Sequence, residues 1–253
     1  MRLKDNVTII TGGGQGLGRA YALRFCSEGA KIVIAEINFE NAKKVEQEII
    51  DMGGEALAIK TDVSKEEDTM VMAQKTMERF GKIDTLINNA SIYYGLESKP
   101  LEYISVDEWD RSYDVNVKGS WLSIKAVSPH MKSANKGCII NISSGTWLVG
   151  IPMLLNYATS KAAILGMVRC VSREFGPFNI RINAITPGFV STEASKSIKG
   201  TPPDTFDVIK AQTALGRNES EDDVVGTAVF LASEDAAFIT GQNIVVDGGW
   251  HLY

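Results

Sequence analysis

The sequence predicts a doubly wound α/β fold, a parallel sheet of seven strands with helices on both faces, and three observations predict it. Short β-branched runs recur along the chain, the segments between them carry apolar residues at three-to-four spacing, and the first run enters a glycine-rich turn that opens a helix. In chain order the strands are read at 7–11, 32–35, 56–60, 85–88, 138–142, 180–185 and 243–246. The crossover helices are read at 19–27, 40–52, 66–80, 106–131, 157–175 and 222–233, each returning the chain so that the next strand lies parallel to the last. Ligands bind such sheets at the carboxyl ends of the strands, so the residues that follow each strand are where function is expected.

With 253 residues, 44% of them hydrophobic, the chain can bury one large core, and it is read as a single domain over 1–253. The one loosened stretch, Ser195 to Thr205 with Gly200-Thr-Pro-Pro, reads as an insert. A net charge of −5, a pI near 5.2 and the lack of a basic stripe argue against nucleic acid as a partner. Cys26, Cys138 and Cys170, odd in number and set in apolar surroundings, are expected as buried thiols of a reducing compartment. No signal-peptide core and no apolar run of about 18 residues is present, so a cytoplasmic protein without a membrane partner is expected. Only His130 and His251 are available to a histidine-based triad, and no cluster has zinc-like spacing, so hydrolase and metal readings are weak and both histidines are expected at the solvated surface.

The first strand runs into Thr11-Gly-Gly-Gly-Gln-Gly-Leu-Gly18. Glycine lets backbone approach a pyrophosphate, and the free N–H groups of the helix start carry partial positive charge. Gly-x-Gly-x-x-Gly fails in every frame, and the Walker pattern fails because Arg19-Ala20 stands where Lys-Ser/Thr is required. What remains is Thr-Gly-x-x-x-Gly-x-Gly. Glu36 closes the second strand eighteen residues after Gly18, where a carboxylate accepts both ribose hydroxyls and repels a 2′-phosphate; with Ile37-Asn38-Phe39 following and no flanking cation, NAD is predicted over NADP. Asp62-Val63 and Asn88-Asn-Ala-Ser91 continue the same edge after the third and fourth strands, with polar groups suited to the adenine and the loop backbone.

Beyond the fifth strand, Ser143-Ser144 precedes Asn156-Tyr-Ala-Thr-Ser-Lys161. Residues four apart share one helix face, so the Tyr157 phenol and the Lys161 ammonium stand side by side. A neighbouring positive charge favours phenolate and moves a tyrosine toward general acid/base work.

Taken together, Thr11-Gly12, Gly16, Gly18, Asp62, Asn88-Asn-Ala, Asn116, Ser144, Tyr157-x-x-x-Lys161, Pro187-Gly188 with Thr192, and Val246-Asp-Gly-Gly resemble the short-chain dehydrogenase/reductase family in order and spacing, over essentially the whole chain. The resemblance implies a Rossmann-like domain in which Tyr157 exchanges the substrate proton, Lys161 lowers its pKa and binds the nicotinamide ribose, and Ser144 holds the reacting oxygen. It implies that the amide of Asn116 holds a water relaying protons from the lysine. The cofactor contacts it implies are Gly12, Gln15, Gly16, Leu17, Gly18, Glu36, Asp62, Val63, Asn89, Ala90, Tyr157, Lys161, Pro187, Gly188, Val190 and Thr192, the last holding the carboxamide. Ser91 departs from the family's usual glycine. A homotetramer is implied, with Trp109, Trp121 and the Trp250-His-Leu-Tyr253 tail as candidate contacts.

The segments expected to face substrate are apolar and aromatic: Ile92-Tyr93-Tyr94, Thr146-Trp147-Leu148, Ile151 to Leu155, and Phe189-Val190. Tyr94, Ser144, Trp147 and Tyr157 are the substrate contacts expected, under a mobile lid around 190–212. The reading is an NAD-dependent alcohol dehydrogenase or ketoreductase acting on an uncharged hydrophobic, aryl or cyclic, ketone or secondary alcohol. A 3-oxoacyl-acyl-carrier-protein reductase is the alternative, which Lys132 and Lys136 keep open, and a catalytically silent nucleotide-sensing or scaffold protein is the alternative of another class.

Overall fold

The computed structural model describes residues 1–252; Tyr253, a candidate tetramer contact, lies outside them. Seven strands, β1 (Val7–Thr11), β2 (Lys31–Glu36), β3 (Ala56–Lys60), β4 (Thr85–Asn88), β5 (Gly137–Ile142), β6 (Ile180–Pro187) and β7 (Asn243–Val246), form one parallel sheet in the order β3-β2-β1-β4-β5-β6-β7. The crossovers carry helices α1 (Gly16–Ser27), α2 (Phe39–Asp51), α3 (Glu66–Phe80), α4 (Val106–Tyr113), α5 (Gly119–Ala134), α6 (Thr146–Val149), α7 (Leu155–Phe175), α8 (Glu193–Lys196), α9 (Thr205–Gln212) and α10 (Glu221–Ala232). This is the Rossmann-like architecture expected.

Every residue of β1, β4 and β5 is buried, which is why the central strands read as continuous apolar runs rather than as an alternation. Side chains still alternate between the faces. Ile10, Ile32, Ile34 and Ile87 pack on one side with Tyr21, Phe25, Ile49 and Val229 of α1, α2 and α10, while Ile9, Val33, Leu86 and Ile139 pack on the other with Met72, Val127, Ile164 and Val168 of α3, α5 and α7. Each such side chain stabilises the fold by about 1.5–3 kcal/mol through burial, so Ile34→Ala, at a fully buried position of β2, should cost about 2–5 kcal/mol. The strand order reverses between β1 and β4, and the crevice outside their carboxyl ends begins at Thr11 and Asn88.

Three expectations change, those for the helix over 106–131, for the thiols and for His251. The segment read as one helix over 106–131 is α4 and α5 joined by a π-helical stretch, Asp114–Lys118, through which the backbone stays right-handed. The segment around 190–212 holds α8 and α9 and is closed onto the molecule. Ser98 donates to the Lys199 carbonyl (2.8 Å), Lys199 to the Leu96 carbonyl (2.9 Å) and the Gly95 N–H to Ser197 Oγ (3.2 Å). Of the thiols only Cys138 is buried, Cys170 being exposed, and His251 is not solvated, since its ring is tied to Asp247 with Nε2 buried. Among the described residues no helix is long and apolar enough to cross a membrane, and no cluster has the makings of a metal site.

Candidate active site

Glycine at 12 and 18 is a packing requirement. Gly12 has φ +63°, and a Cβ there would stand 2.8 Å from the Ala90 Cα; at Gly18 a Cβ would stand 2.0 Å from the Gly12 carbonyl oxygen. Thr11 Oγ1 accepts the N–H groups of Asn89 and Ala90 (both 3.1 Å), and Asn89 Nδ2 returns bonds to the Thr11 and Gly12 carbonyls (3.1 and 3.0 Å). The loop is therefore held from β4, and from β2 through the Gly12 N–H bond to the Ala35 carbonyl (2.8 Å). α1 starts with no side-chain cap from Gln15 and no acidic residue in its first turn, so its positive end is left for an anion. This cradle fits a pyrophosphate.

Glu36 is 8% exposed; its Oε2 accepts the Gly14 N–H (3.2 Å) and Oε1 the Asn38 N–H (3.1 Å). A Cβ at Gly14 would stand 2.9 Å from Glu36 Cγ, a second reason for glycine in this loop. Lys60 of β3, exposed, is the register partner of Glu36, a cation that the linear flanks of Glu36 do not reveal. Asp62 Oδ1 accepts from Ser64 N–H (3.1 Å) and Oγ (2.6 Å), fixing the turn after β3.

A single cleft of about 610 Å³ runs along the carboxyl edge, and all sixteen residues expected to contact a dinucleotide, Gly12 to Thr192, line it. At its inner end Tyr157 is on the first turn of α7 and Lys161 one turn on. Lys161 Nζ lies 5.8 Å from the Tyr157 ring centre and donates to the Ile142 carbonyl (2.9 Å). Ser144 Oγ accepts from the Thr146 N–H (3.3 Å) and hydroxyl (3.1 Å), which leaves its own proton to donate into the cleft. Ser143 Oγ instead donates to the Lys161 carbonyl (2.8 Å) and accepts the Trp147 indole N–H (3.2 Å), so it clamps α7 to β5. The two serines are thereby told apart.

The electrostatics reverse one expectation. Burial pushes the Tyr157 phenol up to about 12, against a smaller downward pull from the Ser144 hydroxyl, and burial pushes Lys161 down to about 7. Loss of water disfavours both charged forms more than their mutual attraction favours them, so the lysine, not the tyrosine, titrates near neutrality in the cofactor-free protein.

Two site residues stand elsewhere than expected. Asn116, in the π-helical stretch, is 1% exposed and does not line the cleft; its Oδ1 accepts the Ile92 N–H (2.8 Å) and its Nδ2 donates to Ser160 Oγ (2.9 Å). With one bond at each end of the amide, it joins the loop after β4 to α7. Trp147 is drawn off the cleft by its bond to Ser143. Tyr94 lines the rim at 65% exposure, while Tyr93, from the same segment expected to face substrate, packs on Tyr157. Asp107, Asp110, Arg111 and Asp114 also line the cleft and were missed; their three-one-three spacing, one face of a helix, is the signal that marks them.

The family model described as enoyl-(acyl carrier protein) reductase matches residues 12–251. The chain is 37% identical over 253 residues to the 2,5-dichloro-2,5-cyclohexadiene-1,4-diol dehydrogenase of Sphingobium indicum, covering 99% of this chain and 98% of that one. It is 34% identical over 249 residues to the cyclopentanol dehydrogenase of Comamonas testosteroni, covering 98% of both. Among solved structures, a 3-ketoacyl-(acyl-carrier-protein) reductase from Brucella melitensis complexed with NADH superposes with a TM-score of 0.90 at 31% identity, over 99% of this chain and 100% of the other.

Proposed function

The chain belongs to the short-chain dehydrogenase/reductase family, and on that premise we propose that this oxidoreductase transfers hydride between NAD(H) and an uncharged cyclic or aryl ketone or secondary alcohol. One observation carries the reading. Ile92 and Tyr93 line the cleft and pack on Tyr157, backed by Leu96, Ile198 and Phe189, so apolar surface stands next to the reacting oxygen, while the charged lining, Asp107, Asp110, Arg111 and Asp114, lies outside that cluster. Relatives named for cyclic alcohols and diols support it.

When bound, the dinucleotide supplies or accepts the hydride. The chain does the rest. Ser144, with its proton free, donates to the reacting oxygen, and Tyr157 gives or takes the proton on that oxygen. Lys161 holds the nicotinamide ribose and, in its charged form, favours phenolate. Glu36 takes the adenosine ribose, and the start of α1 takes the pyrophosphate. Pro187, Gly188, Val190 and Thr192 hold the nicotinamide half, which sets the distance for transfer. The closed segment over 190–212 excludes water. A homotetramer is proposed as the working assembly, supported by exposed Trp121, Tyr103, Val106 and Phe238.

The similarity to 3-oxoacyl-acyl-carrier-protein reductases favours a second reading, reduction of a carrier-bound thioester. The two lysines suited to an acidic carrier are engaged otherwise: Lys132 lies over the Phe175 and Phe178 rings (4.6 and 4.9 Å), and Lys136 pairs with Glu234 (2.8 Å). Steady-state oxidation of NADH and NADPH with cyclic ketones, acetophenone-type ketones and a 3-oxoacyl thioester decides between them. Turnover of cyclic or aryl ketones with NADH is expected; turnover of the thioester alone, with NADPH, would replace the first reading by the second.

A further inference from the structure

Behind the cleft, the backbone of the Pro187–Gly188 turn rests on a carboxyl group that the reaction does not use. Glu219 lies in the segment that precedes α10, bridged to the chain after the turn by the Ser191 N–H bond to its carbonyl (2.8 Å). Its side chain is 8% exposed, and among the described residues neither carboxyl oxygen has a hydrogen-bond partner. A Cβ placed on Gly188 would stand 2.7 Å from Glu219 Oε2 and 2.9 Å from the Asp247 Cβ, so the carboxyl packs directly against the backbone of the turn.

Among the described residues the cation near it, Arg217, is already paired with Asp223. From α1 comes the Tyr21 hydroxyl, fully buried and without a partner. After β7 comes Asp247, 6% exposed, which accepts from the His251 N–H (2.9 Å), the His251 ring and the Gly249 N–H (2.9 Å); His251 Nε2 is buried and unpaired. From the α10 side come Asp223, of like sign, and Arg217, whose guanidinium is engaged by Asp223 through two bonds (2.7 and 2.5 Å). The Gly188 N–H bonds the Val246 carbonyl (2.9 Å), extending the β6–β7 ladder.

We propose that Glu219 is a positioning residue for the nicotinamide half of the cofactor: its neutral carboxyl sets the Pro187–Gly188 turn from behind, and its ionisation loosens the turn's hold on the dinucleotide. A carboxylate there has a like-charged neighbour in Asp247 and two routes to relief, swinging toward water or drawing the Gly188 N–H from Val246, and either one shifts the turn. Burial, reinforced by the charges of Asp247 and Asp223 and only partly opposed by the Gly188 N–H and Arg217, pushes the group up to about 8, so the change falls in an accessible range. The inference rests on the dinucleotide reading of the cleft.

The test is NADH affinity, read from nucleotide fluorescence between about pH 6 and pH 9.5, for the wild type, Glu219→Gln and Glu219→Ala. Beyond the dependence near pH 7 that Lys161 gives all three proteins, wild-type affinity is expected to fall further through about pH 8, by up to about tenfold per pH unit, while both variants lack that second fall and Glu219→Gln matches the wild type at the acid end. A wild-type profile without the second fall, or the same second fall in Glu219→Gln, overturns the proposal. A second arm needs no cofactor. With its folded-state pKa raised, wild-type stability declines as pH rises from the unfolded carboxyl value to about 8, so the Tm of Glu219→Gln relative to wild type should climb over that window. That climb with NADH binding that lacks the second fall would overturn the coupling to the turn and leave the dinucleotide reading intact. Absence of NADH binding by the wild type at every pH would overturn both.

Discussion

The ring of Tyr93 lies 5.1 Å from that of Tyr157, inclined at 42°. Tyr93 comes from the loop after β4 and Tyr157 from α7, so this contact joins the two elements that border the reacting oxygen. Burial, with a smaller contribution from Tyr157, raises the Tyr93 phenol beyond any working pH, which keeps it neutral and makes it an apolar wall. Tyr93→Ala should raise KM for a cyclic ketone roughly tenfold, with kcat changed far less, since the ring contributes on the order of 1 kcal/mol of stacking. The variant should also accept bulkier ketones. Steady-state kinetics on a graded ketone series measure this, and an unchanged size preference would make Tyr93 a core residue only.

Replacing Tyr157 by phenylalanine keeps the ring contact with Tyr93 and removes only the hydroxyl. Turnover should drop by about 10²- to 10⁴-fold while NADH binding stays within about twofold of wild type. Single-turnover hydride transfer and nucleotide fluorescence separate the two quantities, and a variant that turns over at near wild-type rate would reject Tyr157 as the proton donor.

Glu36→Ala removes the carboxylate proposed to take the adenosine ribose and leaves the exposed Lys60, its register partner on β3, as the neighbouring charge. NADH affinity should fall roughly tenfold, the worth of about one charged hydrogen bond, and NADPH affinity should rise because like-charge repulsion is gone. The measurement is the ratio of the two dissociation constants; an unchanged ratio would remove Glu36 from the ribose site.

The fold was legible because β1, β4 and β5 are buried on both faces and leave continuous β-branched runs, a local signal. The glycine loop was legible for the same reason, since the constraint on Gly12 and Gly18 acts within a few residues of the strand that carries them. The contacts that tune the site are not local. Asn116 is buried between two other elements, bonded to the Ile92 N–H and Ser160 Oγ, partners that no local pattern shows. Trp147 was a fair candidate by position, and its indole turns away because Ser143 offers an acceptor. Glu219 reads in the sequence as one more acid before an acidic helix start, and only the packing of Gly188 on its carboxyl sets it apart.

Lys161 gives the clearest dependence on pH. Its ordinary value of 10.5 falls to about 7 in the folded protein because burial penalises the ammonium. Between those values the unfolded chain holds more protons than the native one, so stability rises with pH across that window; below about pH 7 the folded state carries the full cost of a buried charge. Lys161→Met removes the charge and keeps the length of the side chain, at the price of the bond to the Ile142 carbonyl, a loss that does not vary with pH. The stability of Lys161→Met relative to wild type should therefore be greatest at about pH 6 and decline by roughly 4 kcal/mol toward pH 10.5. Urea denaturation of both proteins without cofactor at three pH values tests it. A difference independent of pH would mean that water in the cleft solvates the ammonium, and the proton would then leave Lys161 near its ordinary value.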